Sequence, residues 1–179
     1  MRTIKFLPLL VLAVAPFTAS AVDGTITFNG EVTDKTCTIV TPQGKDFTVT
    51  LPTVSSSTLA AAGQVAGRTP FSINLSQCNP GNVATYFEPG ATVDLGSGRL
   101  NNAAATSAAT EVQLQLLGSN SLFLPVVSAG AGSTQANSQW VTVNAGGTAD
   151  LNYFVEYYAT GAATPGEVSS SVKYTIIYN

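Results

Sequence analysis

Side chains in this chain change character with a period of two, and that rhythm recurs along most of its length. Phe47, Val49 and Leu51 alternate with threonines. Phe71, Ile73 and Leu75 alternate with Ser72, Asn74 and Ser76, and Val112, Leu114 and Leu116 with Glu111, Gln113 and Gln115. Leu151, Tyr153, Val155 and Tyr157 mark a further run, whose second face is also partly apolar through Phe154 and Tyr158. Such strands bury one face and wet the other, as the strands of an antiparallel sandwich do. Between them lie connections rich in Gly, Ser, Asn and Ala, notably 96–110 and 128–138, which read as surface loops. A short helical stretch is expected only at 57–62. With 179 residues, no tandem repeat and no long linker, the chain reads as one all-β domain.

The first twenty residues follow a different rule. Arg2 and Lys5 precede an apolar run from Phe6 to Phe17, and Ala19-Ser20-Ala21 closes it with small residues. This is the pattern of a secretory signal peptide over 1–21, cleaved after Ala21; the run is short for a membrane anchor and no basic flank follows it. The mature chain is then 22–179. Losing Arg2 and Lys5 leaves five basic residues against ten acidic, a net charge of −5. With no basic cluster, nucleic acid is not expected as a partner, and the mature chain is not expected to be membrane-embedded.

Export also fixes the expected state of the two cysteines. In an oxidising compartment Cys37 and Cys78 form a single disulfide by default. Two cysteines make a poor zinc site in a chain without histidine, and a reactive thiol calls for a cationic neighbourhood that the sequence lacks. The missing imidazole also removes every mechanism that needs a histidine base. A paired-acid site is the remaining catalytic option. However, Asp34, Asp46, Glu88, Asp94, Glu111, Asp150 and Glu156 are scattered and read as solvated strand faces or turns. No phosphate loop or nucleophile elbow is present, so no enzyme activity and no cofactor or metal are expected. Asn74-Leu-Ser76 matches a glycosylation sequon by chance, within a strand.

The two ends of the mature chain do not fit a closed sandwich equally well. On the last strand, Val168, Val172, Tyr174, Ile176 and Tyr178 share one face, with Ser171, Lys173 and Thr175 opposite, and the sequence stops at Asn179. An apolar strand with a free edge needs a cover. At the other end Gly24, Ile26, Phe28, Gly30 and Val32 alternate with Thr25, Thr27, Asn29 and Glu31. That N-terminal strand either pairs within its own sandwich or adds to the edge of another copy.

These residues resemble the pilin subunits of chaperone–usher, type 1-like fimbriae. The shared features are Gly24-Thr-Ile-Thr-Phe-Asn-Gly-Glu-Val32, the cysteine at 37, and Thr69-Pro-Phe-Ser-Ile-Asn-Leu-Ser-Gln-Cys78. At the C-terminus come Tyr157-Tyr-Ala-Thr-Gly161, the glycine fourteen places from the end (Gly166) and the penultimate tyrosine (Tyr178). The resemblance covers essentially the whole mature chain. It implies an incomplete immunoglobulin-like sandwich that lacks its last strand, completed by a donor strand from a neighbouring subunit. Carried onto this chain, 22–34 is the donor-strand extension, with Ile26, Phe28, Gly30 and Val32 facing inward, and 35–179 is the pilin domain. The acceptor groove edge comprises Gly166, Val172, Tyr174, Ile176 and Tyr178. Only 22–24 precede the matched extension motif, a shorter lead than many main shaft subunits show.

The implied function is a structural subunit of a surface fimbria, exported through the periplasm and polymerising head-to-tail by donor-strand exchange into an adhesive filament. The implied partners are copies of itself or related pilins, a periplasmic chaperone and an outer-membrane usher. Small residues, low charge and single-domain size favour the main shaft subunit over a minor adaptor or tip subunit. A secreted sugar-binding β-sandwich is the other reading, with Trp140, Tyr153, Tyr157 and Tyr158 as stacking groups.

Overall fold

The computed structural model describes residues 24–127 and 135–179. The signal peptide read at 1–21, Val22, Asp23 and residues 128–134 of the second long connection lie outside the described residues. The chain divides into two units, Met1–Val32 and Thr33–Asn179. In the first, 24–32 adopts no strand, and Ile26, Phe28 and Val32 are exposed by 79%, 88% and 99%.

Every described strand belongs to the second unit. In chain order they are β1 (Thr38–Ile39), β2 (Val65–Ser76), β3 (Asn82–Glu88), β4 (Val93–Asp94) and β5 (Arg99–Asn101). There follow β6 (Val112–Leu117), β7 (Phe123–Leu124), β8 (Val141–Thr142), β9 (Ala149–Ala159) and β10 (Lys173–Tyr178). One sheet runs β1-β2-β9-β6-β5-β4, with β7 also on β6; the other runs β10-β3-β8. All of these pairings are antiparallel. The short helical stretch expected at 57–62 is a 3₁₀ turn, Ser56–Leu59, capped by the Ser55 side chain.

Alternation places the core where the sequence puts it. Ile73 and Leu75 of β2, Leu114 and Leu116 of β6, and Leu151, Tyr153 and Val155 of β9 meet Val83 and Phe87 of β3 in one buried cluster. A chain of rings threads it: Phe47 to Phe71 at 6.2 Å, Phe71 to Tyr153 at 5.6 Å, and Tyr153 edge-on to Phe87 at 5.2 Å. These are favourable spacings for rings of like quadrupole. In β2 the register with β9 slips between Ala66 and Thr69, at Gly67. Its φ is +67°, and an added Cβ would lie 2.9 Å from the Tyr157 ring. The bulge therefore requires glycine on both counts.

On the opposite face of the large sheet, Glu156 is buried but fully engaged. Arg68 Nε donates to it at 2.8 Å and Gln115 Nε2 at 2.6 Å. Gln115 Oε1 accepts from Arg99 Nε at 3.0 Å, and the Arg99 guanidinium lies 3.6 Å from the Tyr158 ring centre. A buried charge with an ionic partner and a hydrogen bond to each oxygen is tolerable; one left alone is not.

Three sequence expectations are corrected here. The alternation at 47–51 predicts a strand, yet this stretch joins no ladder; Phe47, Val49 and Leu51 still pack against the core. Periodicity reports a buried face, and that face is present without backbone pairing. The connection at 96–110 is not a tolerant loop: it carries β5, Leu100 and Ala109 are buried, and Ala108 bridges Glu167. Of the second connection, Gln135 and Ser138 are buried. Gln135 accepts from the Phe87 N–H and donates to its carbonyl, both at 2.8 Å, in the manner of a strand neighbour. Ser138 Oγ donates to the Thr85 carbonyl at 2.9 Å.

Cys37 and Cys78 are joined by a disulfide with S–S 2.08 Å across 41 residues. Closing a loop of this length restricts the unfolded chain by about 4 kcal/mol in the chain-entropy model. Replacing Cys37 and Cys78 together by serine is therefore expected to lower unfolding stability by up to about 4 kcal/mol. Guanidinium denaturation of the two oxidised proteins measures it, and a thiol titration of the wild type should find no free cysteine.

Candidate strand-acceptor groove

β10 is bonded to β3 along its full length, from Lys173 opposite Glu88 to Tyr178 opposite Val83. Its other edge carries no ladder among the described residues. Across from it runs 46–51, which also has none. Two cavities open between these walls. The larger, about 660 Å³, is floored by Phe71, Ile73, Phe87, Leu114 and Val155 and flanked by Phe47, Val172 and Tyr174. The smaller, about 470 Å³, lies toward Thr53, Leu59, Tyr157 and 163–170 and has a more polar lining. Thr48, Val49, Leu51, Leu114 and Ser170 line both, so the two make one continuous trough. An apolar trough bounded by two unbonded backbones has the requirements of an absent strand: side chains for the floor and peptide groups for the walls.

The predicted groove residues occupy distinct places. Val172 and Tyr174 line the larger cavity and Gly166 the smaller. Ile176 and Tyr178 continue the same half-buried face, packed on the core beyond the lining of either cavity. Tyr178 has a task of its own: its hydroxyl accepts the Cys37 N–H at 3.1 Å, tying β10 to the disulfide. At Gly166 an added Cβ would come within 2.5 Å of the Ala109 nitrogen and the Ser107 carbonyl oxygen, so the backbone there tolerates no side chain. The donor residues Ile26, Phe28, Gly30 and Val32 all lie in the first unit.

Tyr174 reaches across the trough. Its hydroxyl donates to the Lys45 carbonyl at 2.8 Å and its ring stands 6.5 Å from that of Phe47. Burial pushes its phenol above the ordinary range, with Asp46 adding to the effect. The wall at 46–51 and Ser170 were not singled out by the sequence reading. The clue was present for both, since 47, 49 and 51 alternate as a donor-facing wall would, and Ser170 falls on the apolar face shared by Val168 and Val172.

The other candidate chemistries find no assembled site. Among the described residues no group of three His, Cys, Asp or Glu is placed to hold a metal. Glu88, Glu111, Asp150 and Glu156 each accept a hydrogen bond from a neighbouring segment: from Thr175, Thr160, Asn74 and Arg68. Asp94 caps its own turn, held below the usual carboxylate range by the Ser97 hydroxyl, Gln113 and the Gly96 N–H. Of the aromatics, Tyr153 is core, Tyr157 packs over Gly67, and Tyr158 lies on the other face of β9 under Arg99.

Comparison with known proteins agrees with this geometry. Residues 51–179 match the family described as type-1 fimbrial protein, A (FimA). The major fimbrial subunit SMF-1 of Stenotrophomonas maltophilia is 72% identical over 169 residues, covering 94% of this chain and 100% of that protein. The F17 fimbrial protein of Escherichia coli is 41% identical over 184 residues, covering 99% of each. In fold, the chain is similar to the subunit of a chaperone–usher pilus solved in a study of rod uncoiling, with TM-score 0.62 and 22% identity, covering 92% of this chain and 100% of that one.

The Tyr174 bond carries a testable sign. A phenol whose folded pKa is raised adds stability that is fully present below its unfolded value near 10 and lost as pH rises through the folded value. At neutral pH the phenol is un-ionised in both states, so there Tyr174→Phe should lower stability by about 1 kcal/mol through the lost bond to the Lys45 carbonyl alone. The same change should remove one late-ionising tyrosine from an alkaline absorbance titration of the folded protein.

Proposed function

The chain belongs to the FimA type-1 fimbrial protein family, and we propose from that premise that its trough is filled by 24–32 of a second copy. It is a structural fimbrial subunit, exported and assembled into a surface filament. In our reading each subunit donates Ile26, Phe28, Gly30 and Val32 to the next and accepts the same residues between β10 and 46–51. The observation that carries this reading is the pairing of two deficits in one chain: a floor without its strand, and a strand-like segment with its large apolar groups in water.

Burying Ile26, Phe28 and Val32 contributes about 1.5–3 kcal/mol each. Each main-chain bond to a wall adds about 0.5–1.5 kcal/mol net. Ordering the segment and losing translational freedom offset part of this sum. A donor at one end and an acceptor at the other give a heterologous contact, which grows filaments and does not close. The same trough, an unbonded gap over the core, needs a cover before assembly, a role we assign to a periplasmic chaperone, with hand-over at an outer-membrane usher. Its role is structural and not catalytic, as the main shaft subunit.

Phe28→Asp is expected to abolish polymer growth while leaving the body folded. Refolded, oxidised 22–179 should give a ladder of multimers on an unboiled detergent gel. The Phe28→Asp chain and a chain lacking 22–34 should each give a single band; a ladder from either overturns the donor assignment.

A further inference from the structure

The stretch leading into β10 presents Val168, Ser170, Val172 and Tyr174 half-buried and Ser169, Ser171 and Lys173 exposed, the alternation of an extended chain. Ser170 is the hydroxyl in this otherwise apolar face, and it sits where the two cavities join. Its Oγ is buried and has no hydrogen-bond partner among the described residues. Leaving such a group unsatisfied opposes folding, whereas a non-polar residue of similar size would not.

The neighbours of Ser170 hold it in place. The Ser169 N–H donates to Asn102 Oδ1 at 3.0 Å, and its carbonyl accepts from the Ala103 N–H at 2.7 Å. The Ser171 carbonyl accepts from the Thr92 hydroxyl. In an extended chain successive residues point their peptide groups to opposite sides. Fixing 169 and 171 against 92 and 102–103 therefore turns the peptide groups of Ser170 toward the open trough.

We propose that Ser170 is an anchoring residue for strand insertion: its hydroxyl hydrogen-bonds the peptide backbone of the incoming 24–32 segment and so slows the donor's departure. The proposal rests on the strand-donation reading above. A pleated strand slipped by one residue turns its whole apolar set outward, and a slip by two leaves a large side chain facing the wrong cavity. The apolar set therefore fixes the register, and the Ser170 hydroxyl, whose partner is a repeating backbone, adds hold to a donor already in register. The donor carries a matching feature. Gly30 is the one member of its inward set without a side chain, which leaves room for a close backbone approach.

The test uses the oxidised 22–179 chain carrying Phe28→Asp, which keeps it from assembling, and a synthetic wild-type peptide of residues 22–34. Ser170→Ala should raise the guanidinium midpoint of the peptide-free chain, because an unsatisfied hydroxyl is removed, and should speed peptide dissociation about tenfold, because a bond is lost. Ser170→Thr, which keeps the hydroxyl, should retain the slow dissociation. These opposite signs separate an anchoring role from a packing role, which would shift both measurements together. An unchanged dissociation rate, or shifts in one direction, overturns the proposal for Ser170 while leaving strand donation intact. A peptide that binds neither chain overturns both.

Discussion

Along one edge β10 is bonded residue by residue to β3, and along the other it faces a stretch of chain that makes no ladder either. Most sandwiches avoid such a gap, because unpaired N–H and C=O groups beside apolar side chains invite any extended chain that passes. Here the gap is continuous from Tyr174 to Gly166 and lies directly over the hydrophobic core. Core rings (Phe47, Phe71 and Phe87) and small polar residues (Thr48 and Ser170) line this gap.

The body manages this with long-range bonds in place of a ladder. Tyr174 spans from β10 to the Lys45 carbonyl, and Tyr178 takes the Cys37 N–H. On the far edge of β3, Gln135 and Ser138 supply from side chains the bonds that a longer β8 would have made. Beneath the trough the ring series from Phe47 to Phe87 gives the floor a rigidity that aliphatic side chains would not. Single side-chain bonds of this kind are worth about 0.5–1.5 kcal/mol each. They hold the edge without the cooperativity of a ladder.

The fold was legible wherever burial and pairing coincide. The runs at 71–75, 112–116, 151–157 and 174–178 are strands with the predicted faces inward, and Cys37 and Cys78 are joined as expected. Legibility failed where the two separate. At 47–51 the alternation is genuine and its apolar face packs on the core, but the stretch joins no ladder, so the pattern of a strand appears without one. At 96–110 and 135–138 small and polar residues are buried through contacts with segments distant in sequence, such as Asn102 with Glu167 and Gln135 with Phe87, which leave no local period. Ser170 was passed over because a serine in an apolar stripe looks like an interruption of the pattern.

The disulfide also determines how a pull would travel. Tension on 24–32 enters the body at Thr33 and within a few residues meets Cys37. From there the covalent bridge carries it to Cys78, four residues before β3, and β3 passes it to β10 through six residues of ladder loaded in shear. The ladderless wall at 46–51 lies off that route. A subunit drawn along its chain can therefore bear load through covalent and laddered structure while its least bonded segment stays slack, and reduction of a single bond would shift that load onto the segment least able to carry it.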